Sequence, residues 1–273
     1  MEGQVHAAAT TRPANRVERA GDASSGVPLL EPAPDGPATR FAALLGHPHP
    51  VVAFLVAIVL GYLLLATASV ASGLFVEEVM LDQREIERVD EWFPKVLATH
   101  RTETATDLSW VGSEIAGGYV IPAILALVAL VMALKRRWRI GAFVVFAVAV
   151  ESATYRATTL FVDRPRPHVE RLEGLDPTAS YPSGHTAASI ALYGGLALLV
   201  TSRFAQGRWR YLVWAVALAI PPIAGLARVY RGMHHPIDLL AGVAIGIAAV
   251  LVALFACRVA GAAAARREAV EAR

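Results

Sequence analysis

Three short stretches of the chain place histidines, arginines and one carboxylate beside apolar segments. They are the run from Arg164 to Pro167, the run from Tyr181 to His185, and Arg228 followed by His234 and Asp238. Arginine guanidinium groups bind phosphate through paired hydrogen bonds. One histidine can attack phosphorus while a second protonates the leaving oxygen. These are the residue types needed to move a phosphoryl group.

The first stretch, Arg-Pro-Arg-Pro, follows an apolar segment. Alternating prolines fix an extended backbone and hold Arg164 and Arg166 rigidly, which lowers the entropy lost on binding a phosphate. We therefore predict that both arginines bind phosphate. Taken alone, such a run is also typical of an ordinary loop beside a membrane.

The second stretch opens an apolar segment with signals for a helix start. Ser183 is a good helix N-cap, and Gly184 allows an anion to approach the backbone closely. Free amides and the positive end of the helix dipole favour a phosphate at this point. His185 would lie in the first turn, beside that anion.

The third stretch joins two apolar segments. Pro236 suits the first position of a helix, so Asp238 would lie in the first turn, four residues after His234. A carboxylate there can accept a proton from one imidazole nitrogen and leave the other nitrogen free to attack. The alternative is an aspartate that only caps its helix, beside two interfacial histidines.

The composition indicates an integral membrane protein. The 273 residues are 55% hydrophobic and 18% charged, against about 25% charged in a typical soluble domain. Mean hydropathy is +0.48. A net charge of +2 gives no reason to expect a nucleic-acid partner, and the single cysteine, Cys257, excludes an intrachain disulfide and a multi-cysteine metal site.

Six segments approach the roughly 20 apolar residues that cross a bilayer. They run over residues 51–76, 115–134, 140–162, 186–201, 212–229 and 237–257. We predict an all-α bundle of six transmembrane helices in residues 46–260. A disordered tail, 1–45, and a short tail, 261–273, would lie on the cytoplasmic side. Residues 77–109 are charged with apolar residues at helical spacing, which predicts a helix on the membrane surface or capping the bundle.

The positions of lysine and arginine predict the orientation. These residues concentrate in the two tails and in the second and fourth connections between spans. They are Arg12, Arg16, Arg19, Arg40, Lys135, Arg136, Arg137, Arg139, Arg203, Arg208, Arg210, Arg258, Arg266, Arg267 and Arg273. With six spans, all four groups fall on one side, which is therefore predicted to be cytoplasmic. All three chemical stretches then lie on the extracytoplasmic side of the cell membrane.

Together, the three stretches resemble the type 2 phosphatidic acid phosphatase superfamily over roughly residues 115–257. Its pattern is Lys, six residues, Arg-Pro; then Pro-Ser-Gly-His; then Ser-Arg, five residues, His, three residues, Asp. The second part is complete at Pro182 to His185, and the third matches at Arg228, His234 and Asp238. The first matches at Arg166-Pro167.

Two positions depart from the pattern: Thr159 replaces the lysine and Ala227 replaces the serine. Arg156 lies three residues before Thr159 on one helix face, so we hypothesise that it supplies the missing positive charge to the phosphate. Pairing with Glu151 inside the span is the competing account. Glu114 and Glu151 are themselves acids within or beside spans, either functional or paired with a nearby base.

The resemblance implies a role for each matching residue. His234 would be the nucleophile that forms a phosphohistidine, Asp238 would orient it, and His185 would protonate the leaving oxygen. The phosphoryl oxygens would be held by Arg166, Ser183, Gly184 and Arg228. No metal or cofactor is required, because arginines and helix amides supply the charge stabilisation.

The resemblance also implies an enzyme that hydrolyses a lipid phosphate or diphosphate at the outer membrane face. Undecaprenyl diphosphate and phosphatidate are the leading substrates. Two alternatives stay open: a phosphotransferase that uses the same intermediate, and a non-catalytic lipid-binding membrane protein, which the loss of the lysine favours.

Overall fold

The computed structural model describes residues 27–174, 176–204 and 207–272, and within them it contains nine α-helices and no β-strand. The helices are α1 (Pro37–Leu44), α2 (Pro50–Phe75), α3 (Arg84–Thr99), α4 (Glu103–Glu114), α5 (Val120–Leu134), α6 (Trp138–Phe161), α7 (Gly184–Arg203), α8 (Trp209–Tyr230) and α9 (Pro236–Glu271). One π-helical turn extends α2 to Met80, and another lies inside α7 at Ile190–Gly194. The predicted all-α class is confirmed.

Five of the helices are long and apolar enough to cross a membrane: α2, α6, α7, α8 and α9. Large apolar side chains such as Leu55 and Leu63 on α2 are exposed on the outside of the bundle, as expected for a multi-pass membrane protein. The predicted second span, residues 115–134, is shorter in the structure than in the prediction. It begins at Val120 because Gly117 and Gly118 lie in a turn after α4. Its 15 residues cover about 22 Å, less than the roughly 30 Å of a bilayer core.

The segment before the first span is partly ordered. Residues 1–26 lie outside the described part of the chain. The prediction of disorder is wrong for residues 27–45, which include the helix α1 packed on α9. The reason is burial: Leu30 and Ala42 are completely enclosed in the core.

Residues 29 and 30 of this ordered segment also form hydrogen bonds with α6, α7 and α9 at one end of the bundle. Arg139 at the start of α6 donates to the Leu30 carbonyl oxygen at 2.5 Å. Arg258 in α9 donates to the Leu29 carbonyl oxygen at 2.9 Å, and the Leu29 amide donates to Ser202 Oγ at 2.8 Å. Residues near three of the predicted cytoplasmic groups therefore meet at one end. The three chemical stretches lie at the other end, where α7 and α9 begin and α6 and α8 finish.

The 36-residue helix α9 does not end near residue 260 but continues to Glu271, so most of the predicted C-terminal tail is helical. Its glycines let α7 approach closely. A Cβ atom at Gly242 would lie 2.6 Å from the Ser183 carbonyl oxygen, and one at Gly246 would lie 2.6 Å from the Ala187 carbonyl oxygen. This contact places the start of α7 against the first turns of α9.

The predicted surface helix is present as α3, and it caps the bundle over the chemical stretches. Its buried positions are Asp90 and Pro94, whereas Val89 and Trp92 are exposed. Asp90 Oδ1 accepts a hydrogen bond from the Ile237 amide at 3.0 Å. Helix α3 therefore packs through Asp90 and Pro94, and the apolar positions Ile86, Phe93 and Val96 of the sequence pattern are only partly buried.

Candidate active site

A cavity of about 230 Å³ opens at the end of the bundle that holds the three stretches. Its wall is made by the turn before α5 and the start of α5, by α6, by the start of α7, by the end of α8 and by the connections that precede α7 and α9. Five predicted site residues line it: Arg166, Gly184, His185, Arg228 and His234. The fold therefore assembles both histidines and two arginines from all three stretches around one space.

His234 lies in the α8–α9 connection and is 3% exposed. Its Nδ1 is 2.6 Å from the carbonyl oxygen of Ser180. Because a carbonyl only accepts, Nδ1 carries the proton, and Nε2 is the nitrogen with a free lone pair. Burial lowers the pKa of His234 to about 4, against the opposing effect of Asp238. His234 is therefore a neutral imidazole at pH 7, the form that can act as a nucleophile.

Asp238 contacts His234 less directly than the sequence predicts. Asp238 Oδ2 lies 3.6 Å from His234 Nδ1, but it accepts hydrogen bonds from Ser180 Oγ at 2.7 Å and from the His235 amide at 2.8 Å. The bond to His235 closes a capping box, so Asp238 also caps its own helix. Ser180 joins the two, because its carbonyl holds His234 and its hydroxyl holds Asp238. Sequence reasoning missed Ser180, which belongs to no motif.

Arg164 does not line the cavity, contrary to its predicted phosphate-binding role. It is 2% exposed, and its two terminal nitrogens donate to Asp238 and Asp90. Its Nε lies 3.1 Å from Glu77 Oε1. All three guanidinium nitrogens thus contact carboxylates from α2, α3 and α9, and none faces the cavity. Arg164 links the capping helix to Asp238 and positions that residue.

Arg166 lies in the cavity wall and is held without losing its charge. Its Nε donates to the Asp176 carbonyl oxygen at 2.6 Å and its Nη2 to the Ala179 carbonyl oxygen at 2.8 Å. Its Nη1 donates to the Met233 carbonyl oxygen. Neutral carbonyls orient the guanidinium but do not neutralise it, so its positive charge remains available to an anion.

Arg228, in the last turn of α8, is 1% exposed and is paired with an acid that the sequence motifs do not include. Its Nη1 lies 2.8 Å and 2.7 Å from the two carboxylate oxygens of Glu173, which also accepts from Arg231 Nε at 2.5 Å. Burial would raise the pKa of Glu173, but these two arginines outweigh it and lower the pKa. Arg228 Nε has no hydrogen-bond partner among the described residues. No motif in the sequence marks Glu173, which is one of four acids in the connection between α6 and α7.

The start of α7 presents Gly184 and His185 to the cavity, but not the hydroxyl of Ser183. Ser183 is fully buried, and its Oγ is 3.0 Å from Thr186 Oγ1. Its amide donates to the Asp238 carbonyl oxygen at 2.9 Å, so it anchors α7 to α9. A Cβ atom at Gly184 would lie 3.3 Å from the ring of Tyr155, which explains the close fit of α6 there. The first-turn amides have no partner within the helix and are available to an anion.

The structure does not support Arg156 as a replacement for the lysine. Its side chain is exposed, whereas the α6 residues that line the cavity are Glu151, Ser152 and Tyr155. The competing account is not supported either, because Glu151 Oε2 accepts from Ser152 Oγ at 3.0 Å rather than from Arg156. Thr159 donates to the Arg156 carbonyl oxygen at 3.0 Å and does not line the cavity.

The helical bundle thus holds two histidines and two arginines around one cavity, which are side chains that can carry out phosphoryl transfer. The chain belongs to the PAP2 superfamily, whose family model matches residues 140–259. The sequence-based resemblance and the prediction of an enzyme of the phosphatase class are thereby confirmed.

Three relatives have named activities. The chain is 35% identical over 149 residues to decaprenylphosphoryl-5-phosphoribose phosphatase of Mycobacterium tuberculosis, covering 52% of this chain and 73% of that protein. It is 33% identical over 126 residues to undecaprenyl-diphosphatase of Sulfolobus acidocaldarius, covering 43% and 55%. It is 23% identical over 146 residues to phosphatidylglycerophosphatase B of Bacillus subtilis, covering 53% and 70%.

A solved structure has the same fold. It is the crystal structure of a transmembrane PAP2-type phosphatidylglycerolphosphate phosphatase from Bacillus subtilis, with a TM-score of 0.58 and 19% sequence identity. The match covers 75% of this chain and 94% of that one. At this identity the likeness concerns the fold alone.

Proposed function

We propose that this protein is a membrane phosphatase that hydrolyses a lipid phosphate or diphosphate through a phosphohistidine at His234. One observation carries the proposal: a buried, neutral His234, with its Nδ1 held by Ser180, shares a cavity with His185, Arg166 and Arg228. The names of the three relatives, all lipid phosphatases or diphosphatases, support the substrate class.

In the first step, Nε2 of His234 attacks the phosphorus atom. The bond between phosphorus and the leaving oxygen breaks, and that oxygen takes a proton from His185. Arg166, Arg228 and the first-turn amides of α7 stabilise the negative charge on the other phosphoryl oxygens. Ser180 and Asp238 hold the imidazolium that carries the phosphoryl group.

In the second step, a water molecule attacks the same phosphorus atom and gives a proton to His185. The bond between phosphorus and Nε2 breaks, which returns His234 to its neutral form and releases inorganic phosphate. His185 thus acts as acid and then as base, as expected when one group serves both halves of a two-step reaction.

The direct test is phosphate release by purified protein in detergent from a panel of lipid monophosphates and diphosphates. We expect release from at least one member of the panel and no release from the His185→Ala variant. Transfer of the phosphoryl group to an added alcohol instead of water would identify a phosphotransferase. No release from any lipid by folded protein would contradict catalysis and leave a lipid-binding protein.

The pKa of His234 predicts an unusually acidic lower limit for activity. The neutral form attacks, so kcat/KM should show no loss from His234 protonation as pH falls through the ordinary histidine value of 6.5. It should then fall about tenfold per unit below pH 4, where His234 gains a proton. Rates from a pH series in buffered detergent would check this.

The unfolded chain takes up the His234 proton at the ordinary pKa, so this residue favours unfolding increasingly as pH falls from 6.5 to 4. Circular dichroism at each pH is therefore the control. Loss of activity centred near pH 6.5 in protein that stays folded would contradict the assignment.

We infer that the site faces the extracytoplasmic side of the cell membrane. The support is the group of arginines at the opposite end of the bundle, since positive residues favour the cytoplasmic side. A headgroup in the outer leaflet would then lie level with the cavity.

Cysteine labelling in intact cells tests this orientation. His168, beside the first stretch, has a side chain that is 76% exposed, whereas the native Cys257 is buried. In a Cys257→Ser background, His168→Cys should react with a membrane-impermeant thiol reagent and Arg137→Cys should not. The reverse pattern would place the site in the cytoplasm.

A further inference from the structure

The cavity contains one acid that the phosphoryl chemistry does not use. Glu151 on α6 is 2% exposed and lines the cavity beside Ser152. Its Oε2 accepts from Ser152 Oγ at 3.0 Å, and it forms no ion pair within the described part of the chain. A carboxyl group inside a membrane span is costly unless a partner satisfies it, and such groups are usually functional.

Glu151 lies deeper in the bundle than the histidines. It precedes Tyr155 by one helical turn, about 6 Å along α6, and the Tyr155 ring lies against Gly184 at the start of α7. The cavity therefore extends inward from His185 to Glu151. The other walls of this inner part are apolar and include Ile121, Pro122 and Ala188.

The leaving group of the substrate must enter this inner part. In the proposed function, on which this inference rests, His185 protonates the leaving oxygen. The leaving group carries the lipid chains, which must continue from that oxygen towards the bilayer. Because His185 and Glu151 line one cavity, the atoms next to the broken bond would lie beside Glu151.

We propose that Glu151 is a specificity-determining residue that accepts a hydrogen bond from a hydroxyl group on the leaving group. The preferred substrates are then phosphate monoesters of a lipid whose phosphorylated unit is a polyol, such as glycerol or a sugar. A carboxylate acceptor satisfied by a substrate hydroxyl discriminates strongly against analogues that lack it, because the buried group is left unpaired.

The other two lipid classes fit this cavity less well. Phosphatidate leaves as a diacylglycerol with no free hydroxyl beside the scissile bond. A polyprenyl diphosphate leaves as a polyprenyl phosphate, which offers Glu151 phosphate oxygens and no alcohol hydroxyl beside the broken bond.

The experiment compares kcat/KM for three lipids in detergent: phosphatidylglycerophosphate, phosphatidate and a polyprenyl diphosphate. The enzymes are the wild type, Glu151→Leu, Glu151→Gln and the matched control Glu114→Gln. Glu114 packs near Gly117 of the cavity wall but does not line the cavity. Its variant should keep the wild-type order of preference.

Glu151→Leu should lose about tenfold to a hundredfold in kcat/KM for the hydroxyl-bearing lipid, with phosphatidate unchanged. Glu151→Gln keeps a carbonyl oxygen that can accept the same hydrogen bond. It should retain most activity on the hydroxyl-bearing lipid.

Equal lipid preference in the wild type and both Glu151 variants would overturn this inference while leaving the phosphatase activity in place. Failure of the wild type on all three lipids would instead overturn the proposed function. If Glu151→Leu does not fold, the wild type decides the question, because a kcat/KM for phosphatidate equal to or above that for the hydroxyl-bearing lipid contradicts the role.

Discussion

Replacing His234 by alanine is expected to abolish phosphate release and the formation of a phosphoenzyme. Among the described residues that line the cavity, His234 is the one neutral imidazole whose Nδ1 donates a hydrogen bond to a backbone carbonyl, which leaves Nε2 free to attack. Loss of a catalytic nucleophile lowers kcat by roughly six orders of magnitude in well-studied hydrolases. Rapid-quench trapping with a ³²P-labelled lipid phosphate would measure the labelled intermediate directly.

Two further variants make the result specific. Asp238→Asn should leave a slower enzyme that still forms the intermediate, because Ser180 continues to hold His234 Nδ1. His168→Ala, which removes an exposed histidine from the neighbouring loop, should keep wild-type rates. Turnover close to that of the wild type in folded His234→Ala protein would refute the phosphohistidine mechanism.

Replacing Arg164 by alanine is expected to cause the largest loss of stability. The change leaves Asp238 and Asp90 buried without their shared cation, and Glu77 also loses its partner. Removing one member of a buried ion-pair network costs about 3–5 kcal/mol. Thermal unfolding in detergent should therefore show a clearly lower midpoint than in the wild type.

Arg156→Ala is the matched control, because Arg156 is an exposed arginine on α6, and its midpoint should not change. Kinetics on the surviving folded protein separate two roles for Arg164. A positioning role through Asp238 lowers kcat and leaves KM nearly unchanged, whereas a phosphate-binding role raises KM. A midpoint equal to that of the wild type, together with a raised KM, would restore the role predicted from the sequence.

The sequence alone predicted the all-α membrane class, the family and five of the residues that line the cavity. These properties depend on local features, namely apolar runs long enough to cross a bilayer and short motifs with defined spacing. Pro236 marks the start of α9, and the four-residue interval from His234 places Asp238 within its first turn. Spacings of this kind depend on the local sequence and not on contacts with distant parts of the chain.

Only the tertiary structure decided which partner each charged side chain meets. Arg164 and Arg166 are two residues apart in a uniform Arg-Pro repeat, yet one binds three carboxylates and the other binds carbonyls in the cavity wall. The packing of the helices revealed Ser180 as a partner of Asp238 and Glu173 as a partner of Arg228. The physical reason is that burial and ion pairing depend on contacts between helices far apart in the chain, which local patterns of residue type do not encode.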